Sequence, residues 1–189
     1  MDKKTTGLSV KEYRRFGDTG ILHAINEVEL IDGKIVDKSK AGYEHHYVLK
    51  RLLSIFTKSL AGKSIISIKE PILLNSVSES CPDIKILRQK QDFYTTRGPK
   101  GKDVLLLIEI IDENVNQNKK IKLPLYAAIE VQEVWFISLT DERVEVYRSP
   151  KGQNYTQLLL YNRGDVLNPS HFPELDVDIN AILPEKETA

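Results

Sequence analysis

Val104-Leu105-Leu106-Leu107-Ile108-Glu109-Ile110-Ile111 is an apolar run broken by a single carboxylate. A continuous run of branched apolar residues does not alternate between core and water. It reads as a central strand buried on both faces. Downstream, Val115 to Glu130 has a helical pattern, and Pro124 should kink that helix or mark a fresh start. Val134 to Leu139 is a second apolar strand. A strand, a helix and a strand in this order imply a right-handed crossover and parallel pairing. Val144 to Tyr147 and Tyr155 to Tyr161 extend the sheet in antiparallel fashion. The fold class is therefore α/β, a mixed β-sheet flanked by helices.

Upstream, Ser9 and Glu12 have capping-box spacing, which predicts a short helix. Val28 to Ile31 and Lys34 to Val36 flank Asp32-Gly33, the signature of a two-residue hairpin. Tyr43 to Leu60 carries Val48, Leu49, Leu52, Leu53, Phe56 and Leu60 at helical spacing. Ser64 to Ile68, Pro71 to Leu74 and Asp83 to Leu87 read as short strands. Gln89 to Lys102 is polar and holds Gly98-Pro99, so it reads as a loop.

The chain has 189 residues, with 41 % hydrophobic and 29 % charged, which suits a single domain with an ordered core of about 9–183. Lys+Arg and Asp+Glu both number 27, so there is no net positive field to draw in nucleic acid. Any DNA contact must come from a local patch. One cysteine, Cys81, excludes a disulfide within the chain and a thiolate zinc site. The run at 104–111 is too short to span a bilayer, and the polar start shows no signal peptide. The expectation is a cytoplasmic protein without membrane contact.

Glu109 is the first candidate for chemistry. A carboxylate inside an apolar strand costs several kcal/mol unless it is paired, neutralised or metal-bound. Its bland reading is a glutamate at an exposed strand end or paired to a lysine. Asp83 follows a proline at the start of another strand, which alone marks little more than a turn. Together, two carboxylates on neighbouring strands make an oxygen site for a hard divalent cation such as Mg2+. Such an ion polarises a phosphodiester and acidifies a bound water. Adjacent His45 and His46 would point about 100° apart on a helix and would not chelate together. Arg88, Lys90, Arg97, Lys100 and Lys102 cluster in the loop between the acidic positions. They could hold a phosphate backbone or simply be a solvated loop. Lys119-Lys120-Ile121-Lys122 is equally readable as a solvated face or as phosphate contacts.

These pieces resemble, in order, the Uma-type endonuclease family of the restriction-endonuclease-like PD-(D/E)xK superfamily. Val28-Glu29-Leu30-Ile31-Asp32-Gly33 is similar to the family's opening hairpin, and Glu44-His45 to the pair that begins its first long helix. Pro82-Asp83 and Glu109-Ile110 are similar to its two acidic motifs, and Lys122-Leu123-Pro124-Leu125-Tyr126 to its lysine-to-tyrosine segment. Val134-Trp135-Phe136-Ile137 and Val144-Glu145-Val146-Tyr147-Arg148 are similar to its last strands, so the resemblance runs from about Ser9 to Leu183. It implies a nuclease core with Glu29, Asp83, Glu109 and a lysine around the ion. The superfamily's usual lysine would fall at position 111, which here is Ile111. The Uma-type pattern resembles a version with the lysine supplied by the next helix, and Lys122 takes that place. Asp112, Glu113 and Asn118 depart from the family pattern.

The resemblance thus implies an endonuclease that hydrolyses DNA phosphodiesters with Mg2+ or Mn2+. Asp83, Glu109 and Glu29 would be the metal-binding acids and Lys122 the catalytic lysine. A homodimer would let a nuclease of this size cut both strands. The rival readings are a catalytically silent nucleic-acid-binding relative, favoured by Ile111, and a non-enzymatic interaction module, favoured by net neutrality.

Overall fold

A computed structural model describes residues 7–18, 28–38, 41–111 and 115–185, with the backbone alone at 115–118. Asp112 and Glu113 lie outside the described residues, as does the side chain of Asn118.

The apolar run forms β7 (Val104–Ile111), and every residue of it is buried. It lies within a six-stranded sheet. On one side are β6 (Ile84–Arg88) and the edge strand β3 (Ser64–Ile68). On the other are β8 (Glu133–Ser138), β9 (Arg143–Lys151) and β10 (Asn154–Asn162). Pairing of β7 with β8 is parallel, and the other neighbours pair antiparallel. The crossover between β7 and β8 is α3 (Val115–Ala128), as strand, helix and strand in series require.

The two faces of this sheet carry separate cores. On one, α2 (Tyr43–Ser59) lays Val48, Leu52 and Phe56 against Ile84, Ile108 and Trp135. On the other, Leu107, Phe136 and Tyr147 pack with Tyr126 of α3, Ile31 and Ile72. That second face brings in a small antiparallel sheet, ordered β2-β1-β5-β4, that the sequence reading merged into a single mixed sheet. Its strands are β1 (Val28–Ile31), β2 (Lys34–Asp37), β4 (Ile72–Asn75) and β5 (Ser78–Ser80). The β5 segment is Ser-Glu-Ser and fully buried, so no apolar pattern marks it. The hairpin turn between β1 and β2 has Asp32 at φ 49° and Gly33 at φ 74°, the left-handed pair that an Asp-Gly turn demands.

At the amino end, α1 (Val10–Asp18) opens with the expected box. The Ser9 amide donates to Glu12 Oε2 at 2.8 Å, and the Glu12 amide to Ser9 Oγ at 3.3 Å. Of the two outcomes expected at Pro124, a kink or a fresh start, the fresh start is excluded, because α3 runs through it as one element. The carbonyl that loses its partner is that of Lys120, which is exposed and open to water. β11 (Val166–Leu167), β12 (Val177–Asp178) and α4 (Ile179–Ile182) are too short for any periodicity to reveal. Among the described residues no helix is long and apolar enough to cross a membrane.

Candidate active site

Glu109 leaves β7 towards the face covered by α3 and the small sheet. Strand partners on one row share a face, and Glu109 aligns with Phe136, which aligns with Glu145. A bare carboxylate there would be costly, and three elements meet it. Lys122 and Tyr126 stand four apart on α3, one turn from each other on the same side. Glu109 Oε1 accepts from Lys122 Nζ at 3.0 Å and from Tyr126 Oη at 2.5 Å. From β1, Glu29 Oε2 lies 2.6 Å from Lys122 Nζ. Glu29 Oε1 accepts from Ser80 Oγ at 2.9 Å and from the Cys81 amide at 2.7 Å. Ser80 Oγ and Tyr126 Oη, 2.9 Å apart, close the ring. Glu29, Glu109 and Lys122 are each no more than 5 % exposed.

Asp83 sits one residue before β6, where the ladder with β7 would continue. Its Oδ2 accepts from the Ile110 amide at 2.8 Å, which fixes the carboxylate beside Glu109. Its Oδ1 faces His45 Nε2 at 3.2 Å and Lys38 Nζ at 3.7 Å. His45 comes from the first turn of α2, and its Nδ1 is buried without a hydrogen-bond partner. The structure therefore makes His45 a neighbour of Asp83, not half of a His45–His46 chelate. Lys38 follows β2 and donates to the Cys81 carbonyl at 2.6 Å.

The charges answer one another. Full burial pushes the Glu109 carboxyl up, and Glu29 and Asp83 push the same way, outweighing Lys122 and Lys38. Burial also works against ionised Glu29, but Lys122 and Lys38 outweigh it and hold that carboxyl below its ordinary value. For Asp83, burial is outweighed by the His45 hydrogen bond and Lys38, and its value is lowered. Burial works against the Lys122 ammonium too, yet Glu109 and Glu29 raise it. Burial raises Tyr126, assisted by Glu109, so its hydroxyl stays a donor.

Comparison with known proteins bears on this arrangement. A family model for Uma2, described as "Putative restriction endonuclease", matches residues 10–180. The chain belongs to the Uma2 family. The crystal structure of a "putative nuclease belonging to DUF820" from Anabaena variabilis ATCC 29413 superposes with a TM-score of 0.73 at 16 % identity. The match covers 93 % of this chain and 97 % of that one, and at this identity it shows a shared fold. No curated protein matches the chain.

Within this Uma2-family fold, Ile111 is buried in the apolar core beside Tyr126. The lysine that reaches the carboxylates comes from α3. The structure also places the other basic residues. Of the two readings of the loop holding Arg88 to Lys102, the solvated loop fits its place, because it joins the ends of β6 and β7 that lie away from the carboxylates. From Val104 to Glu109 the strand rises about 17 Å. Three of the loop's five cations are also paired locally: Lys90 with Asp92 at 2.7 Å, Arg97 with Asp103 at 2.6 Å and Lys102 with Glu130 at 2.8 Å. Lys119 pairs with the buried Glu145, whose Oε2 lies 2.8 Å from its Nζ. Sequence reasoning missed Lys38 and Ser80. Lys38 stands among Lys34, Asp37 and Lys40, and nothing in the string separates it from a solvated face.

Proposed function

We propose that this Uma2-family chain is a metal-dependent endonuclease that hydrolyses phosphodiester bonds in DNA. Asp83 and Glu109 would bind Mg2+ or Mn2+, and Glu29 would contact it through water. The observation that carries this reading is the buried ammonium of Lys122, set between Glu29 Oε2 at 2.6 Å and Glu109 Oε1 at 3.0 Å.

The residues present fit such an ion. Asp83 Oδ1 is buried and has the His45 ring nitrogen at 3.2 Å and the Lys38 ammonium at 3.7 Å as its polar neighbours. Glu109 is a buried carboxyl held high by burial and by its acidic neighbours. A cation would relieve the acidic charge crowded around Glu109. Among the described residues no three His, Cys, Asp or Glu side chains group as a ligand set. Two carboxylates with the remaining positions filled by water is the coordination that magnesium favours. Both oxygens of Glu29 already accept hydrogen bonds or face Lys122, which is why its contact is assigned through water.

When bound, the ion would polarise the phosphodiester and lower the pKa of an attacking water. Lys122 is held protonated, so it orients that water or stabilises charge on the phosphate rather than taking a proton. Glu29 fixes the ammonium's position, and Ser80 and the Cys81 amide fix Glu29. Tyr126 holds the oxygen of Glu109 that faces Lys122.

The test is cleavage of supercoiled, linear and single-stranded DNA with Mg2+ or Mn2+, paired with calorimetric metal binding. Lys122→Ala should lose about a hundred- to thousandfold in rate, roughly 2.7–4 kcal/mol of barrier, while still binding metal. Asp83→Ala should lose both. Absence of cleavage by the wild type on all three DNA forms would leave the silent-relative reading standing instead.

A further inference from the structure

The cleft over the carboxylates is lined by Glu29, Val36, Lys38, Glu109, Lys122 and Phe136, and its volume is about 30 Å³. That is room for water but not for a nucleotide. A phosphate group must therefore be met at the mouth. Three carboxylates, Glu29, Asp37 and Glu109, line this cleft, and a phosphodiester approaching them is repelled. Lys122 answers part of that charge from depth: its side chain is 7 % exposed and faces Glu29 and Glu109.

Lys38 is placed differently. It reaches the cleft from the end of β2, across from α3, and its side chain is 14 % exposed. An ammonium has three donors. One is used on the Cys81 carbonyl at 2.6 Å. The contact to Asp83 Oδ1, at 3.7 Å, is electrostatic and beyond hydrogen-bond length. Donor capacity therefore remains, on an ammonium whose side chain is more exposed than that of Lys122.

We propose that Lys38 is a further catalytic residue, which binds a non-bridging oxygen of the scissile phosphate from the side of the cleft opposite Lys122. This rests on the nuclease reading above. The proton stays on Lys38 throughout, and its contribution is charge and position. The ammonium beside Asp83 also opposes any divalent cation there, since like charges in a poorly solvated site repel.

The two roles open to Lys38, phosphate contact and a strut holding the Cys81–Asp83 segment, predict opposite results for metal binding. Lys38→Met keeps the apolar stem and removes the charge. We expect it to lower kcat/KM about a hundredfold or more. It should weaken metal-free binding of a labelled duplex and reduce the slope of log affinity against log salt by about 0.9. Magnesium affinity by calorimetry should hold or tighten. Lys38→Arg should recover most of the duplex affinity, because the charge is restored.

Unchanged duplex binding in Lys38→Met would overturn the proposal, and so would a loss of magnesium affinity, which marks a strut. The duplex-binding arm needs no cleavage. If the wild type cuts no DNA, the nuclease reading falls, while the anisotropy and salt slopes still decide whether Lys38 meets phosphate.

Discussion

Asp83, which accepts from the Ile110 amide, and Glu109, the residue before Ile110, are carboxylates opposite in proton affinity. Asp83 is held down by His45 and Lys38 after burial is overcome, and Glu109 is held up by burial and by two acidic neighbours. The signs give a pH test on metal-free protein. An acid raised in the folded state contributes stability that is complete below its ordinary value of 4.5 and is lost as pH rises through the folded value. An acid lowered in the folded state contributes stability present above its ordinary 3.8 and lost as pH falls. Glu109→Gln should therefore flatten the decline of stability above pH 4.5, whereas Asp83→Asn should flatten the acid limb. Urea unfolding in chelator across that range measures both. A wild-type-like decline in Glu109→Gln would mean that Glu109 ionises normally.

At the scale of elements, the site depends on where α3 ends as much as where it begins. Gly101, in the short turn before β7, lies against the end of that helix. A Cβ there would sit 1.8 Å from the Ile129 carbonyl oxygen and 2.6 Å from its carbon. Neither is a flexible side-chain tip, so the turn or the helix end must move. Gly101→Ala should cost about 1–3 kcal/mol, as overpacking does. Because Lys122 and Tyr126 ride on the same helix, it should also slow cleavage more than its stability loss explains. Gly98→Ala is the control. A Cβ there meets nothing within 4 Å, and stability should be unchanged or rise slightly. Equal thermal midpoints for the two variants would show that the helix end is not held by this contact.

At the scale of the molecule, one sheet separates two cores and makes them interdependent. Phe56 is fully buried on the α2 face, with its ring centroid 6.3 Å from that of Trp135. Trp135 is the single tryptophan, so its fluorescence follows that face directly. Phe56→Ala should cost about 3–5 kcal/mol. The loss should appear equally in far-ultraviolet circular dichroism, because the opposite face, with the candidate site, hangs on the same strands. Fluorescence melting well before dichroism in this variant would show that the two faces unfold separately.

The sequence by itself determined what depends on local pattern. The run at 104–111 marked the central strand, because a strand buried on both faces has no polar alternation to disguise it. Asp32-Gly33 marked the hairpin, because its residues tolerate positive φ. Glu109 stood out because a carboxylate is out of place among apolar neighbours, and the motif order pointed to Lys122. Only the tertiary structure decided what depends on long-range pairing. Residues 80 and 29 meet through β5 and β1. Lys38 and Asp83, distant in the chain, come within 3.7 Å of each other. The basic loop lies at the wrong end of its strands to serve the carboxylates. A lysine's surroundings are set by which strand comes to lie beside it, and neither composition nor spacing encodes that contact.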